Sequence, residues 1–217
     1  MDSSRFRGII FDLDGTLLDT LTDLKNSLNA ALRLHGLPER TTEEVRRFVG
    51  NGIAVLVERA VENGRSNPEY ETVLTDIRRI YAEKSRETTA PYAGIPELLE
   101  ALSAKGYLLA VVSNKPDAQV KSLCKAFFGG CIHTAIGQKE GVPLKPAPDP
   151  VYAAAEALGL PLSACVYVGD SEVDVQTARN AAVPCISVLW GFRDKDILLA
   201  NGASTFAHTP AEMMQMF

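Results

Sequence analysis

The stretch Gly8-Ile9-Ile10-Phe11-Asp12-Leu13-Asp14-Gly15-Thr16-Leu17-Leu18 decides the fold. An apolar run ends in two aspartates separated by one leucine, then Gly-Thr, then apolar residues again. Consecutive apolar positions bounded by turn residues suit a strand buried on both faces. Carboxylates at its carboxyl end lie where open parallel sheets place their ligands. Paired aspartates are costly there unless a cation holds them. Asp12 and Asp14 therefore read as half of a magnesium-dependent phosphoryl-transfer site, and the rest of the chain must supply the other half.

Immediately downstream the pattern turns helical. Leu21, Leu24, Leu28 and Leu32 share one face, and the run stops at His35-Gly36-Leu37-Pro38. Thr41 with Glu44 forms a capping box for a helix reaching Phe48. The loop Gly50-Asn51-Gly52 precedes Ile53, Leu56, Val57 and Ala60 at helical spacing. Asn67 reads as an N-cap with Pro68 in the first turn, and Tyr70, Val73, Leu74, Ile77 and Tyr81 form the stripe of a fourth helix. No strand-like run interrupts this segment, which predicts a four-helix insertion at 18–87.

Beyond Tyr92 the chain alternates. Strands are predicted at 108–112, 134–136, 165–168, 185–189 and 204–207. Between and after them lie helices at 96–105, 116–127, 149–158, 171–182 and 194–200 and a terminal helix. Val120, Leu123, Cys124 and Phe127 make the apolar face of the second of these; Asp149 caps the third, with Pro150 in its first turn and Gly159 past its end. Alternating apolar strands and amphipathic helices imply a parallel sheet covered on both faces. The expected architecture is α/β, a Rossmann-like core built from 1–17 and 88–217 with the helical segment as a cap above its active edge.

Composition narrows the partners. Lysine plus arginine number 22 against 27 acidic residues, a net charge of −5, which disfavours a nucleic-acid footprint but leaves a small anionic substrate open. Met1 to Arg7 are polar and run straight into the first strand, so no signal-peptide hydrophobic region is read. No apolar stretch approaches the ~20 residues of a membrane span. Cys124, Cys131, Cys165 and Cys185 lack Cys-x-x-Cys spacing and read as free thiols of a reducing cytoplasm.

Polar residues cluster at the carboxyl ends of three predicted strands: Asp12 with Asp14, Ser113 with Asn114, and Asp170 with Asp174. Lys145 joins them from a proline-flanked loop. Taken singly, each has a plain explanation as a turn former, a helix cap or a solvated lysine. Together at one sheet edge they make chemical sense. Aspartates supply the hard oxygens that Mg²⁺ prefers. Without a cation they would repel, and at least one pKa would rise. A serine hydroxyl and the free amides opening the helix at 116–127 cradle phosphate, while lysine offsets charge. An EF-hand calcium loop does not fit, because Gly15 stands at loop position four, Leu17 at six, and Asp23 rather than Glu at twelve.

Asp12-Leu13-Asp14-Gly15-Thr16, Ser113-Asn114, Lys145-Pro146 and Gly169-Asp170-Ser171-Glu172-Val173-Asp174 resemble the four ordered motifs of the haloacid dehalogenase superfamily. The helical segment is similar to its C1-type cap, so the resemblance spans nearly the whole chain. It implies that Asp12 is the nucleophile forming an aspartyl-phosphate, and that Asp14 protonates the leaving oxygen and then activates water. It also implies that Ser113 and Lys145 hold the phosphoryl group, with Thr16 and Asn114 assisting phosphate or substrate binding. The Asp12 carboxylate, the Asp14 backbone carbonyl and Asp170 would bind Mg²⁺, supported by Asp174. Dehalogenases and phosphonoacetaldehyde hydrolases of this fold lack an acid at the position of Asp14, so its presence favours a phosphatase.

Val49-Gly50-Asn51-Gly52, Asn114-Lys115-Pro116 and Lys145-Pro146-Ala147-Pro148-Asp149-Pro150 further resemble phosphoglycolate phosphatases. That likeness implies a small phosphorylated metabolite as partner, foremost 2-phosphoglycolate, with the substrate-binding cap loop of Gly50 and Asn51 reaching toward the leaving group and Asn51, or Arg46 and Arg47, recognising its carboxylate. The plain alternative is an ordinary helix-to-helix turn flanked by solvated arginines. Rival readings are a β-phosphoglucomutase-like phosphotransferase, a pyrophosphatase of the same superfamily, and a receiver-like phospho-acceptor domain. Against the last, the nucleophile follows the first strand and signalling needs no cap. The expected assembly is a monomer or homodimer with no nucleic-acid or membrane partner. His35, at a predicted helix end, and the other two histidines receive no catalytic role.

Overall fold

The computed structural model describes residues 6–217; the part of the expected core at 1–5 lies outside the described residues. Six strands form one parallel sheet in the order β5-β4-β1-β6-β7-β8. They are β1 (Gly8–Phe11), β4 (Leu108–Pro116), β5 (Thr134–Gln138), β6 (Cys165–Gly169), β7 (Cys185–Val188) and β8 (Phe206–Ala207). β1 lies between β4 and β6, with Phe11 opposite Val111 on one side and Val168 on the other.

The all-apolar reading of β1 holds, and the reason is visible in its two faces. Ile9 and Phe11 join Leu109, Val111, Val166 and Val168 in one core. That core is closed by residues of α5 (Ile95–Ala104), α6 (Asp117–Phe128) and α10 (Pro210–Met214). Ile10 points the other way with Ala110, Val112 and Tyr167, against α7 (Asp149–Ala157) and α8 (Glu172–Asn180). Each fully buried aliphatic or aromatic side chain contributes about 1.5–3 kcal/mol. Of the remaining core helices, α9 (Lys195–Ala200) packs Leu198 against Val175 and Ala203.

Several boundaries differ from expectation. β4 continues past Val112 to Pro116 through a register irregularity, so α6 starts at Asp117 and buries Phe128 rather than Phe127. Asp149 is the first helical residue of α7, with Pro148 at the cap.

Residues 6–18 and 91–217 form one compact unit and residues 19–90 a second. The second unit holds α1 (Leu21–Leu34), α2 (Thr42–Phe48), α3 (Ile53–Ala60), a 3₁₀ turn at Gly64–Ser66 and α4 (Tyr70–Lys84). The capping box at Thr41 and Glu44 is present. Asn67 does not cap α4, contrary to expectation: its Oδ1 accepts from the Glu69 amide in a local turn, and Glu69 takes the cap position. Two dipeptide strands that the sequence did not signal, β2 (Leu18–Asp19) and β3 (Ala90–Pro91), pair with one another. Asp23, near the start of α1, accepts the backbone and hydroxyl hydrogen bonds of Thr88 and Thr89 at 2.6–3.1 Å. Among the described residues no helix is long and apolar enough to cross a membrane, and all four cysteines are free.

Candidate active site

Asp12 extends the ladder of β1 by one bond, its amide donating to the Val168 carbonyl at 2.8 Å. The chain then folds into a tight loop, in which the Leu17 and Leu18 amides both donate to the Leu13 carbonyl at 3.0 Å. Leu13, Leu17 and Leu18 are fully buried and anchor that loop. Gly15 has a φ of +88°, and a Cβ there would meet the Asp170 carboxylate at less than 3.0 Å. Both the backbone and the space require glycine.

Four elements converge on this loop. Lys145 Nζ lies 2.8 Å from Asp12 Oδ1 and 2.8 Å from Asp174 Oδ1. It also donates to the Tyr167 hydroxyl at 3.0 Å, which in turn donates to Asp174 Oδ1 at 3.0 Å. The Ser171 amide and hydroxyl both donate to Asp174 Oδ2, closing a capping box that opens α8. Asn114 grips the Lys145 backbone twice: its Nδ2 donates to the Lys145 carbonyl at 3.0 Å, and its Oδ1 accepts from the Lys145 amide at 2.9 Å. Asp170 accepts from the Thr16 hydroxyl at 3.1 Å and the Phe192 amide at 2.7 Å.

On the other flank, Asp14 faces the end of β4. Lys115 Nζ donates to its Oδ1 at 2.8 Å, and Ser113 Oγ approaches Oδ2 at 3.4 Å. The structure thus brings Asp12, Asp14, Ser113, Lys145, Asp170 and Asp174 to one sheet edge. Thr16 and Asn114, expected to bind phosphate or substrate, lie at the same edge and direct these side-chain bonds to Asp170 and the Lys145 backbone. Their polar groups are fixed on neighbours they position.

Gly50 and Asn51 belong to the helical unit. Gly50 has a φ of +115°, and Asn51 Oδ1 accepts from Arg59 at 3.0 Å. Arg46 and Arg47 lie 3.7 and 3.9 Å from Glu43.

Four contributors have no role assigned from the sequence. Tyr167 is the one polar-tipped side chain in an otherwise apolar β6, and that was its signal. Lys115 follows Ser113-Asn114 directly. Arg193 clasps Glu172 with Nε at 2.7 Å and Nη2 at 3.3 Å, securing the loop whose Phe192 amide meets Asp170. Trp190 Nε1 donates to the Thr16 carbonyl at 2.9 Å. The last two depend on contacts distant in sequence and leave no local pattern.

The electrostatics are those of carboxylates short of positive charge. Burial pushes the Asp12 carboxyl well above the ordinary range; Lys145 opposes this, while Asp174 and Asp170 add to it. Burial and then repulsion from Asp174 raise Asp170 to about 7 despite the Phe192 amide, Arg193 and Thr16. For Asp174 burial is outweighed by the charge and hydrogen bond of Lys145 and by Ser171 and Tyr167, so it sits below the ordinary value. Burial likewise fails to lower Lys145, which Asp12 and Asp174 hold firmly charged. One oxygen each from Asp12, Asp170 and Asp174 lie within 4.8 Å of one another. Hard oxygen donors with unrelieved repulsion fit a divalent cation.

Known proteins share this chain's sequence and fold. The family model of haloacid dehalogenase-like hydrolases matches residues 9–188. The phosphoglycolate phosphatase of Pseudomonas syringae pv. tomato is 36% identical over 190 residues, covering 85% of this chain and 70% of that protein. An N-acetylmuramic acid 6-phosphate phosphatase of Pseudomonas aeruginosa is 29% identical over 218 residues, covering 100% of this chain and 96% of that protein. A solved structure of a candidate phosphoglycolate phosphatase from Lactobacillus delbrueckii subsp. bulgaricus superposes with a TM-score of 0.93 at 36% identity, covering 97% of both chains. The motif order, the sheet and these likenesses together place the chain in the haloacid dehalogenase-like hydrolase family, among its phosphatases.

Proposed function

We propose that the protein is a magnesium-dependent phosphatase that releases phosphate from a small phosphorylated metabolite, 2-phosphoglycolate first among candidates. The observation that carries this reading is the placement of Asp12 and Asp14 on one loop, each 2.8 Å from its own buried lysine, Lys145 and Lys115. Residues 1–17 and 88–217 act as the catalytic core, and 18–87 as a cap that selects the leaving group. The division of the structure at 18/19 and 90/91 supports that assignment. The net charge of −5 supports a small molecule over nucleic acid, and four free cysteines support a reducing compartment such as the cytoplasm.

A carboxylate oxygen of Asp12 attacks phosphorus as the bond to the leaving oxygen breaks, giving an aspartyl-phosphate. Asp14 donates a proton to the departing oxygen, then accepts one from the water that attacks the phosphoryl group. Phosphate leaves and Asp12 is restored. Ser113 and Lys145 hold the phosphoryl oxygens, and Asn114 fixes Lys145 for that task. The Asp12 carboxylate, the Asp14 backbone carbonyl and Asp170 would hold Mg²⁺, with Asp174 in support. When bound, the ion supplies positive charge against the phosphoryl oxygens.

Likeness to phosphoglycolate phosphatases and the cap sequence Gly50-Asn51, with Arg46 and Arg47 nearby, favour a carboxylated leaving group. The full-length alignment with the N-acetylmuramic acid 6-phosphate phosphatase favours a second reading, a larger phosphosugar that also bears a carboxylate. The test is a panel of 2-phosphoglycolate, N-acetylmuramic acid 6-phosphate, glucose 1-phosphate and pyrophosphate, assayed for phosphate release with Mg²⁺ and with EDTA. The expected result is the highest kcat/KM on 2-phosphoglycolate, silenced by EDTA. Isomerised sugar phosphate without free phosphate would refute hydrolysis.

A further inference from the structure

Among the described residues two lysines are buried, Lys115 and Lys145. Removing an ammonium group from water costs several kcal/mol unless it is well paired. Lys145 answers that cost at Asp12, as the phosphoryl-holding role requires. Lys115 meets Asp14 instead: its Nζ is 2.8 Å from Oδ1, with side-chain exposures of 4% for Lys115 and 20% for Asp14.

The backbone beneath Lys115 is held by Ser113 and from the β5 side. Its amide donates to Ser113 Oγ at 3.2 Å. Gly137 of β5 approaches so closely that a Cβ would stand 2.6 Å from the Lys115 carbonyl and 2.5 Å from Asp117 Cα. The Gly137 amide donates to Asp117 Oδ1 at 3.1 Å. Lys115 therefore rises from a rigid strand end, while Asp14 sits on a loop and is the more exposed partner. The pair also makes the two Asp14 oxygens unequal. Oδ1 is anchored by a charge-assisted bond, whereas Oδ2 has the longer 3.4 Å approach of Ser113.

We infer that Lys115 is a positioning residue for Asp14, fixing Oδ1 so that Oδ2 is the oxygen that passes the proton to the leaving group. The inference rests on the phosphatase reading above. Lys115 then matters in proportion to how much the leaving oxygen needs a proton. An alkoxide needs one; a nitrophenolate, stable as an anion, does not.

The test compares kcat/KM for wild type, Lys115→Met and Lys115→Arg on ethyl phosphate, 2-phosphoglycolate and p-nitrophenyl phosphate at saturating Mg²⁺. This parameter covers steps through departure of the leaving group and is blind to the later attack by water. Lys115→Met is expected to lose about 10²-fold on both alkyl esters and less than about threefold on the aryl ester. Lys115→Arg, keeping a cationic donor, is expected to recover part of the alkyl loss. Should Lys115→Met fail to fold, Lys115→Gln carries the same comparison. Equal losses on all three esters, or none, would overturn the inference. So would a loss confined to 2-phosphoglycolate, which would make Lys115 a ligand of the substrate carboxylate. A wild type that hydrolyses none of the three would remove the phosphatase reading itself, an outcome distinct from those.

Discussion

Lys145 Nζ lies 2.8 Å from Asp12 Oδ1, and both side chains are nearly enclosed, at 2% and 10% exposure. The same nitrogen donates to Asp174 Oδ1 at 2.8 Å. One cation thus serves two buried carboxylates, and their stabilities are coupled through it. Lys145→Met is expected to destabilise the protein by about 3–5 kcal/mol, because two buried charges lose their partner. Adding Asp174→Asn removes one of those charges, so the double variant should lose less than the sum of the singles, with a coupling of about 1–3 kcal/mol. Urea unfolding in a chelator measures this; strictly additive losses would contradict shared pairing.

Gly137 predicts a different kind of lesion. Its φ is ordinary, but a Cβ would collide with the backbone of Lys115 and Asp117 rather than with a flexible side-chain end. Gly137→Ala should cost about 1–3 kcal/mol through overpacking and shift the strand end that carries Ser113 and Lys115. The expected signature is a lowered kcat with a folded circular-dichroism spectrum. Unchanged stability and kcat would mean that β5 yields freely.

Asp23 shows how a suggestive carboxylate can be structural. It is 2% exposed, and although burial alone would raise its pKa, hydrogen bonds from Thr88 and Thr89 hold it below the ordinary value. Its contribution is therefore present above the unfolded carboxyl value of 3.8 and lost as pH falls through the depressed folded one. Asp23→Ala strands four donors and should destabilise by about 3 kcal/mol at neutral pH. Urea midpoints equal to wild type at pH 7 would refute this.

His35 carries a pH dependence of opposite sign. Its Nδ1 is 2.8 Å from Glu69 and its Nε2 2.9 Å from Asp76, so both nitrogens are served best as donors on the imidazolium. The Asp76 hydrogen bond raises its pKa, burial opposes this, and Glu69 adds to the rise. A raised folded value means stability fully present below the unfolded value of 6.5 and lost as pH climbs through the folded one. The gap in urea midpoint between wild type and His35→Gln should narrow as pH rises from 6.5 upward. A gap that does not narrow with rising pH would contradict a stabilising charge on His35 that is lost by deprotonation.

Much of this was legible in the sequence, and the reason differs by feature. β1, β6 and the capping box at Thr41 are local patterns that tertiary packing reinforced. The motif residues were legible because strand ends in a parallel sheet share an edge whatever the intervening chain. The side-chain partners of Thr16 and Asn114 were not legible, because motif membership says nothing of which way a hydrogen bond points. Those polar groups bond Asp170 and the Lys145 backbone, 154 and 31 residues away. The pairing of Lys115 with Asp14 spans 101 residues and depends on β4 running four residues beyond its apolar segment, which its polar composition concealed. Asn67 reads as a cap because Asn-Pro is a frequent helix opening; here the same side chain closes a turn two residues before the Glu69 cap.

In the proposed reaction Asp12 carries the phosphoryl group between substrate and water. Asp14→Ala tests it most directly. With p-nitrophenyl phosphate the leaving group needs no proton, so Asp12 should still be phosphorylated, while the missing base stalls hydrolysis. After an acid quench, mass spectrometry of peptides should find one added phosphoryl group on Asp12. A phosphoryl group on any other residue, or a nitrophenolate burst with Asp12 unmodified, would rule Asp12 out as the carrier.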